Sequence, residues 1–142
     1  MDMWNLIEAT STEFFYDRLE AIGLHRGQPK MLRFLGENDG CRQKDIADRF
    51  FLRAASVSGV LNTLEKQGLI ERRQNPKSRR ETLIYLTDQG KEKLAQVRKF
   101  YEDINKQWFE DFQDEEYQDL MKLLGKLQKS LAKQNGEEKN KK

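Results

Sequence analysis

The sequence predicts a mainly α-helical chain with one small β-hairpin, and three observations point there. Residues Ala54 to Gln67 place Val57, Val60, Leu61 and Leu64 at i, i+3, i+4 and i+7, one buried stripe of an α-helix, and Gly68 follows as its stop. Just upstream, Gln43 to Phe50 suits a shorter helix whose Ile46, Ala47 and Phe50 share a face, with Phe51-Leu52-Arg53 as the break between the two. Downstream, the β-prone runs Leu69 to Gln74 and Glu81 to Leu86 flank Asn75-Pro-Lys-Ser-Arg-Arg80, a turn-forming cationic loop. Two helices across a tight turn, followed by a hairpin with a basic tip, predict a winged helix-turn-helix.

The remaining elements follow in chain order. Met1 to Ile22 spaces Trp4, Ile7, Phe14, Phe15, Leu19 and Ile22 for an amphipathic helix. Gly23 to Gly27 breaks it, and Gln28 to Leu35 starts a second helix with Pro29 tolerated in the first turn. Gly36-Glu-Asn-Asp-Gly40 is a turn cluster. Thr87 can N-cap a long helix running to about Phe112, with Leu94, Val97, Tyr101, Ile104 and Trp108 as its seam. Asp114 is expected to cap a last helix striped by Leu120, Leu123, Leu124, Leu127 and Leu131. Residues 135–142 are polar without periodicity and read as a disordered tail.

Length and composition narrow the function. At 142 residues the chain is one domain, small enough to favour assembly. No apolar run approaches a membrane span, no signal pattern opens the chain, and the single Cys41 excludes an intramolecular disulfide, which fits a reducing cytoplasm. The net charge of +2 hides a segregation. Residues 42–80 hold ten basic and four acidic side chains, against four and seven in residues 1–41 and twelve and thirteen in residues 81–142. The positive charge therefore sits on the helix-turn-helix and the wing, where phosphate binding needs it; a solvated charged surface is the plainer alternative. One His and one Cys make no metal site, no cofactor is expected, and no phosphate loop or nucleophile-base pair suggests an enzyme.

The order of elements resembles the MarR family of bacterial transcription regulators. The residues that carry the resemblance are Asp45-Ile-Ala47, Ser56-Val-Ser58, Leu64 to Arg72, and the run Asn75-Pro-Lys-Ser-Arg-Arg-Glu-Thr-Leu-Ile-Tyr-Leu-Thr-Asp-Gln-Gly90. The resemblance implies one MarR-type domain over residues 1–134, with the DNA-binding winged helix at about 28–86. The helices at about 1–22 and 87–134 would build a dimer interface from Trp4, Phe14, Phe15, Trp108, Leu124, Leu127 and Leu131. It further implies a cytoplasmic homodimer that binds a pseudo-palindromic double-stranded operator as a repressor, with a small aromatic effector modulating affinity.

Candidate DNA contacts follow from chemistry and position together. On the outward face of the second helix, Ala55, Gly59, Asn62, Thr63 and Lys66 are small or polar, with Ser56 and Ser58 on the shoulders. Asn can pair with adenine and Ala can pack on a thymine methyl. Arg79 and Arg80 suit minor-groove entry and Lys77 the backbone, while Arg72 and Arg73 would support the wing or bind phosphate. Arg42 and Arg53 stand at N-cap positions, each either a phosphate contact or a water-capped helix start.

Departures from the family pattern matter in the wing and on the second helix. Asn75 and Ser78 replace the wing acids that orient its arginines, which predicts a looser, more uniformly positive wing. Gly59 replaces a groove-contacting arginine. His25 could line an effector cleft, though a surface histidine is the plainer reading. Cys41 lies away from the family's sensor position and reads as a structural thiol. The alternative function is a winged-helix protein- or RNA-interaction module without specific DNA binding.

Overall fold

Six helices and a three-stranded antiparallel sheet make up the computed structural model, which describes residues 2–140 and side chains as far as Gly136. The chain forms two compact units that divide between Phe100 and Tyr101. In the first unit, α1 (Met3–Ala21) begins where the Asp2 carboxylate accepts the Trp4 N–H. Of its expected apolar face only Leu19 is buried; Phe14, Phe15 and Ile22 are half-buried, and Trp4 and Ile7 are exposed.

Helix α2 (Gln28–Glu37) starts at the left-handed Gly27 with Pro29 in its first turn. Its Met31, Leu32 and Leu35 are fully buried. Ile46 of α3 (Gln43–Phe50) and Val57, Leu61 and Leu64 of α4 (Ala54–Lys66) are likewise fully buried, as helical spacing requires. Val60, expected in the same stripe, stands only half-buried at its edge. Between α3 and α4, Phe51 takes a left-handed conformation at φ 53°, a strained choice for a bulky residue. Gly68 takes the same region at φ 74° without that cost and turns the chain into the sheet.

The sheet is larger than the two-stranded ribbon expected. Strand β1 (Cys41–Arg42) pairs with β3 (Ser78–Leu86), which also pairs with β2 (Ile70–Asn75), in the order β1-β3-β2. A two-residue strand carries no periodicity, so β1 has no sequence signal. The wing strands also run further than expected, to Asn75 and from Ser78, which leaves only Pro76 and Lys77 between them.

Thr87 N-caps α5 (Asp88–Trp108) as expected, its hydroxyl accepting from Gly90 N–H at 3.0 Å and donating to the Gly68 carbonyl at 2.6 Å. The helix has 21 residues, about 32 Å, and stops four residues short of Phe112. In the second unit, Phe109 stacks edge-on against Phe112 and Tyr117, and this aromatic turn ends the helix. The N-cap of α6 (Asp114–Asn140) is Gln113 rather than Asp114: the Gln113 N–H donates to the Glu116 carboxylate at 3.1 Å and its carbonyl accepts from Tyr117. Residues 135–140 continue α6 instead of forming a tail. Extending a helix adds one backbone bond per residue and needs no apolar stripe. Lys141 and Lys142 of the expected tail lie outside the described residues.

Candidate nucleic-acid interface

Helix α4 presents an outward face of low relief. Ala55, Ser56, Gly59, Asn62 and Lys66 are exposed, and a Cβ added at Gly59 would meet open space. Thr63 bonds back to the Gly59 carbonyl, while Gln43 of α3 donates from Nε2 to both the Ser58 hydroxyl and the Ala54 carbonyl. The Ser58 oxygen therefore accepts from Gln43 and keeps its own proton to donate outward. Sequence reasoning missed Gln43, because a contact across 15 residues and a turn leaves no local pattern.

On the wing side of this face stands Arg72. Its Nη1 donates to Asn62 Oδ1 at 2.9 Å and to Glu65 Oε2 at 2.6 Å. Arg73 pairs with Glu71 and lies 4.4 Å over the Tyr85 ring. These two arginines brace the wing against α4 and across β3. By contrast Arg53, Lys66, Lys77, Arg79 and Arg80 have no side-chain partner among the described residues, and all five are exposed.

The wing tip is tied, contrary to the looser hairpin expected from its missing acids. Asn75 Oδ1 accepts the Lys77 N–H at 3.0 Å, the bond an aspartate would make, and Nδ2 donates to Glu81 at 3.0 Å. Gln74 adds a bond to the Arg79 carbonyl. Glu81 in turn accepts from Arg42 at 3.4 Å. Arg42 is N-cap of α3, where Asp45 accepts both its backbone N–H at 2.9 Å and its guanidinium at 2.7 Å. So Arg42 joins the start of α3 to the root of the wing, and its cap problem is met by Asp45 reaching back. These bonds hold the Asp45 carboxyl below the usual range and push Arg42 further up.

Beside α4, an open groove of about 320 Å³ is lined by His25, Arg26, Gln28, Ser56, Gly59 and Thr63, among others. Gln28, 1% exposed, fixes this edge: it accepts from His25 N–H and donates to Gln67 at the end of α4. Arg26 stacks on Tyr16 at 4.1 Å. Cys41 is half-buried beside Asp45 and Asp39, and burial with those charges pushes its thiol up to about 11. It is a protonated thiol at neutral pH, poorly suited to oxidant sensing. No group of His, Cys, Asp and Glu among the described residues could hold a metal ion, and no helix among them is long and apolar enough to cross a membrane.

The sequence model of the MarR family matches residues 22–81, from the end of α1 to the middle of the wing. The HTH-type transcriptional repressor YetL of Bacillus subtilis is 30% identical over 112 residues, 78% of this chain and 67% of YetL. The chain belongs to the MarR family. A second regulator from the same organism, YdgJ, is 28% identical over 109 residues, 77% of this chain; the alignment spans 66% of YdgJ, just under two thirds. Among solved structures, a MarR-family transcriptional regulator from Listeria monocytogenes complexed with a 26mer DNA superposes with a TM-score of 0.84 at 23% identity, covering 96% of this chain and 91% of that one. This last likeness speaks for the winged-helix fold. YetL and YdgJ are both HTH-type transcription regulators.

Proposed function

We propose that this MarR-family protein is a homodimeric, cytoplasmic DNA-binding transcription regulator that represses from a pseudo-palindromic operator. One observation carries the DNA reading: a shallow polar helix face lies beside five exposed cations whose side chains have no partner among the described residues. A buried or paired cation has nothing to offer a phosphate; these do. The Listeria monocytogenes relative bound to DNA supports the same use of the fold. In this reading α4 enters the major groove, Arg79 and Arg80 reach the minor groove beside it, and Lys77 and Arg53 take phosphates. Lys66 lies one turn beyond Asn62 and adds charge at the far end of the helix. Two such faces, about 34–36 Å apart in a dimer, would read successive half-sites.

The dimer is supported by the apolar side chains left uncovered in each unit, Trp4 on α1 and Leu124, Leu127 and Leu131 on α6. Small aromatic effectors enter the reading through the groove beside α4. Its 320 Å³ lies within the range of small-molecule sites, and an occupant there would compete with the operator for Ser56, Gly59 and Thr63. Fluorescence titration with duplex DNA at increasing salt tests the main reading. Binding whose logarithm falls linearly with the logarithm of salt is expected, and no salt-sensitive binding to any duplex would favour a protein- or RNA-interaction module instead.

A further inference from the structure

The contact between Arg72 and Asn62 settles which edge of the amide faces outward. A guanidinium carries donors only, so Asn62 must turn Oδ1 toward Arg72. That leaves Nδ2, which has no partner among the described residues, on the exposed side of α4. Arg72 cannot easily release the amide. One Nη1 nitrogen has two hydrogens, and Glu65 takes the second at 2.6 Å, one turn along the same helix from Asn62. The Arg72 side chain as a whole is only 23% exposed, held between strand and helix by its bonds to Asn62 and Glu65.

We propose that Arg72 is a positioning residue: it locks Asn62 with its amide donor directed into the major groove, where that donor selects a purine through N7. Both purines present N7 as an acceptor at that edge, whereas cytosine presents a donor and thymine a methyl beside its single acceptor. A free asparagine can exchange its two ends and accept from cytosine or pair with adenine equally well. The clamped one cannot exchange them. Adenine and guanine are then distinguished by neighbouring contacts, and this position reads purine against pyrimidine. The inference rests on the reading of α4 as the groove-binding helix.

The test is selection from a randomised duplex library by the full-length protein, followed by salt titrations on selected and random duplexes. Wild type should return a purine at one position of each half-site. Asn62→Ala and Arg72→Met should each lose that preference, by roughly 3- to 10-fold, the scale of one hydrogen bond. Combined, the two should lose no more than either alone. Arg72→Gln, which restores a donor to Oδ1, should recover the preference even where Arg72→Met is poorly folded. In all four variants the salt slope on random DNA should stay unchanged.

Three results would overturn the proposal alone. A slope lowered by about 0.9 per subunit in Arg72→Gln would make Arg72 a phosphate ligand. A fall in melting temperature with the base preference intact would make it a brace and nothing more. A consensus with a pyrimidine on the contacted strand would put the amide the other way round. Wild-type protein that shows no salt-sensitive affinity for any duplex would overturn the DNA reading beneath it, and is distinguishable from all three.

Discussion

Gly90 lies against the backbone of Leu69 so closely that a Cβ on it would sit 1.9 Å from the Leu69 carbonyl oxygen. The contact follows from how α5 leaves the sheet: Thr87 ties the start of the helix to Gly68 and donates its N–H to the same Leu69 carbonyl. Backbone cannot move aside as a side-chain end can. Gly90→Ala is therefore expected to cost about 1–3 kcal/mol or more of stability. Gly59→Ala, where the added carbon meets open space on a helix interior, should gain roughly 0.5–1 kcal/mol. Urea unfolding of the two variants would check the contrast, and a similar effect in both would mean that the Leu69 backbone gives way.

The wing arginines should act through charge. Arg79→Ala and Arg80→Ala are each expected to weaken binding on cognate and random duplexes alike. Each should also lower the salt slope by about 0.9 per subunit for every phosphate that is no longer neutralised. Arg73→Ala should leave the slope alone, because Arg73 is already paired with Glu71 and stacked on Tyr85. An unchanged slope in the first two variants would show that the wing does not reach the DNA.

The Arg42–Asp45 pair gives a pH signature. Its guanidinium and backbone bonds hold the Asp45 carboxyl below the ordinary value of 3.8, so the folded state releases the proton more readily than the unfolded chain. The resulting stabilisation is fully present above that ordinary value and is lost as pH falls through the lower, folded one. Following the Asp45 carboxyl by NMR should give a midpoint below 3.8, and Arg42→Met should return it toward the usual aspartate range. A midpoint at the usual value in the unaltered protein would mean that the clamp between α3 and the wing does not persist in solution.

How much of the fold is legible in the sequence depends on the range of the interaction. Periodicity in Val57, Leu61 and Leu64 and the stop at Gly68 place α4 to within a residue, since the signals are local. The short strand Cys41–Arg42 is invisible because its pairing with Leu83 and Ile84 depends on residues some forty positions away. The end of α5 falls earlier than expected for a related reason: the aromatic turn at Phe109 and Phe112 continues an apolar spacing while breaking the helix. At the candidate interface, residue types indicate which segments carry the cations. They do not reveal that Arg42, Arg72 and Arg73 are held by Asp45, Glu65 and Glu71, because charge counts register neither partner nor distance.

The leucine stripe of α6 carries the last prediction. Leu123, Leu124, Leu127 and Leu131 are each 41–61% exposed, although their spacing is that of a buried helix face. Full burial of one leucine contributes about 1.5–3 kcal/mol, so leaving four uncovered forgoes a stabilisation that a second copy could recover. Trp4 and Ile7 on α1 are uncovered in the same way. The protein is therefore expected to run as a dimer by light scattering at micromolar concentration. Leu127→Asp should shift it toward monomer, since a carboxylate in the paired stripe would be desolvated without a partner. Leu127→Met, similar in volume, should leave the dimer intact. Loss of the dimer should weaken binding to a two-half-site operator far more than binding to a single half-site. A monomeric mass for the unaltered protein, or a dimer unmoved by Leu127→Asp, would place the subunit contact elsewhere.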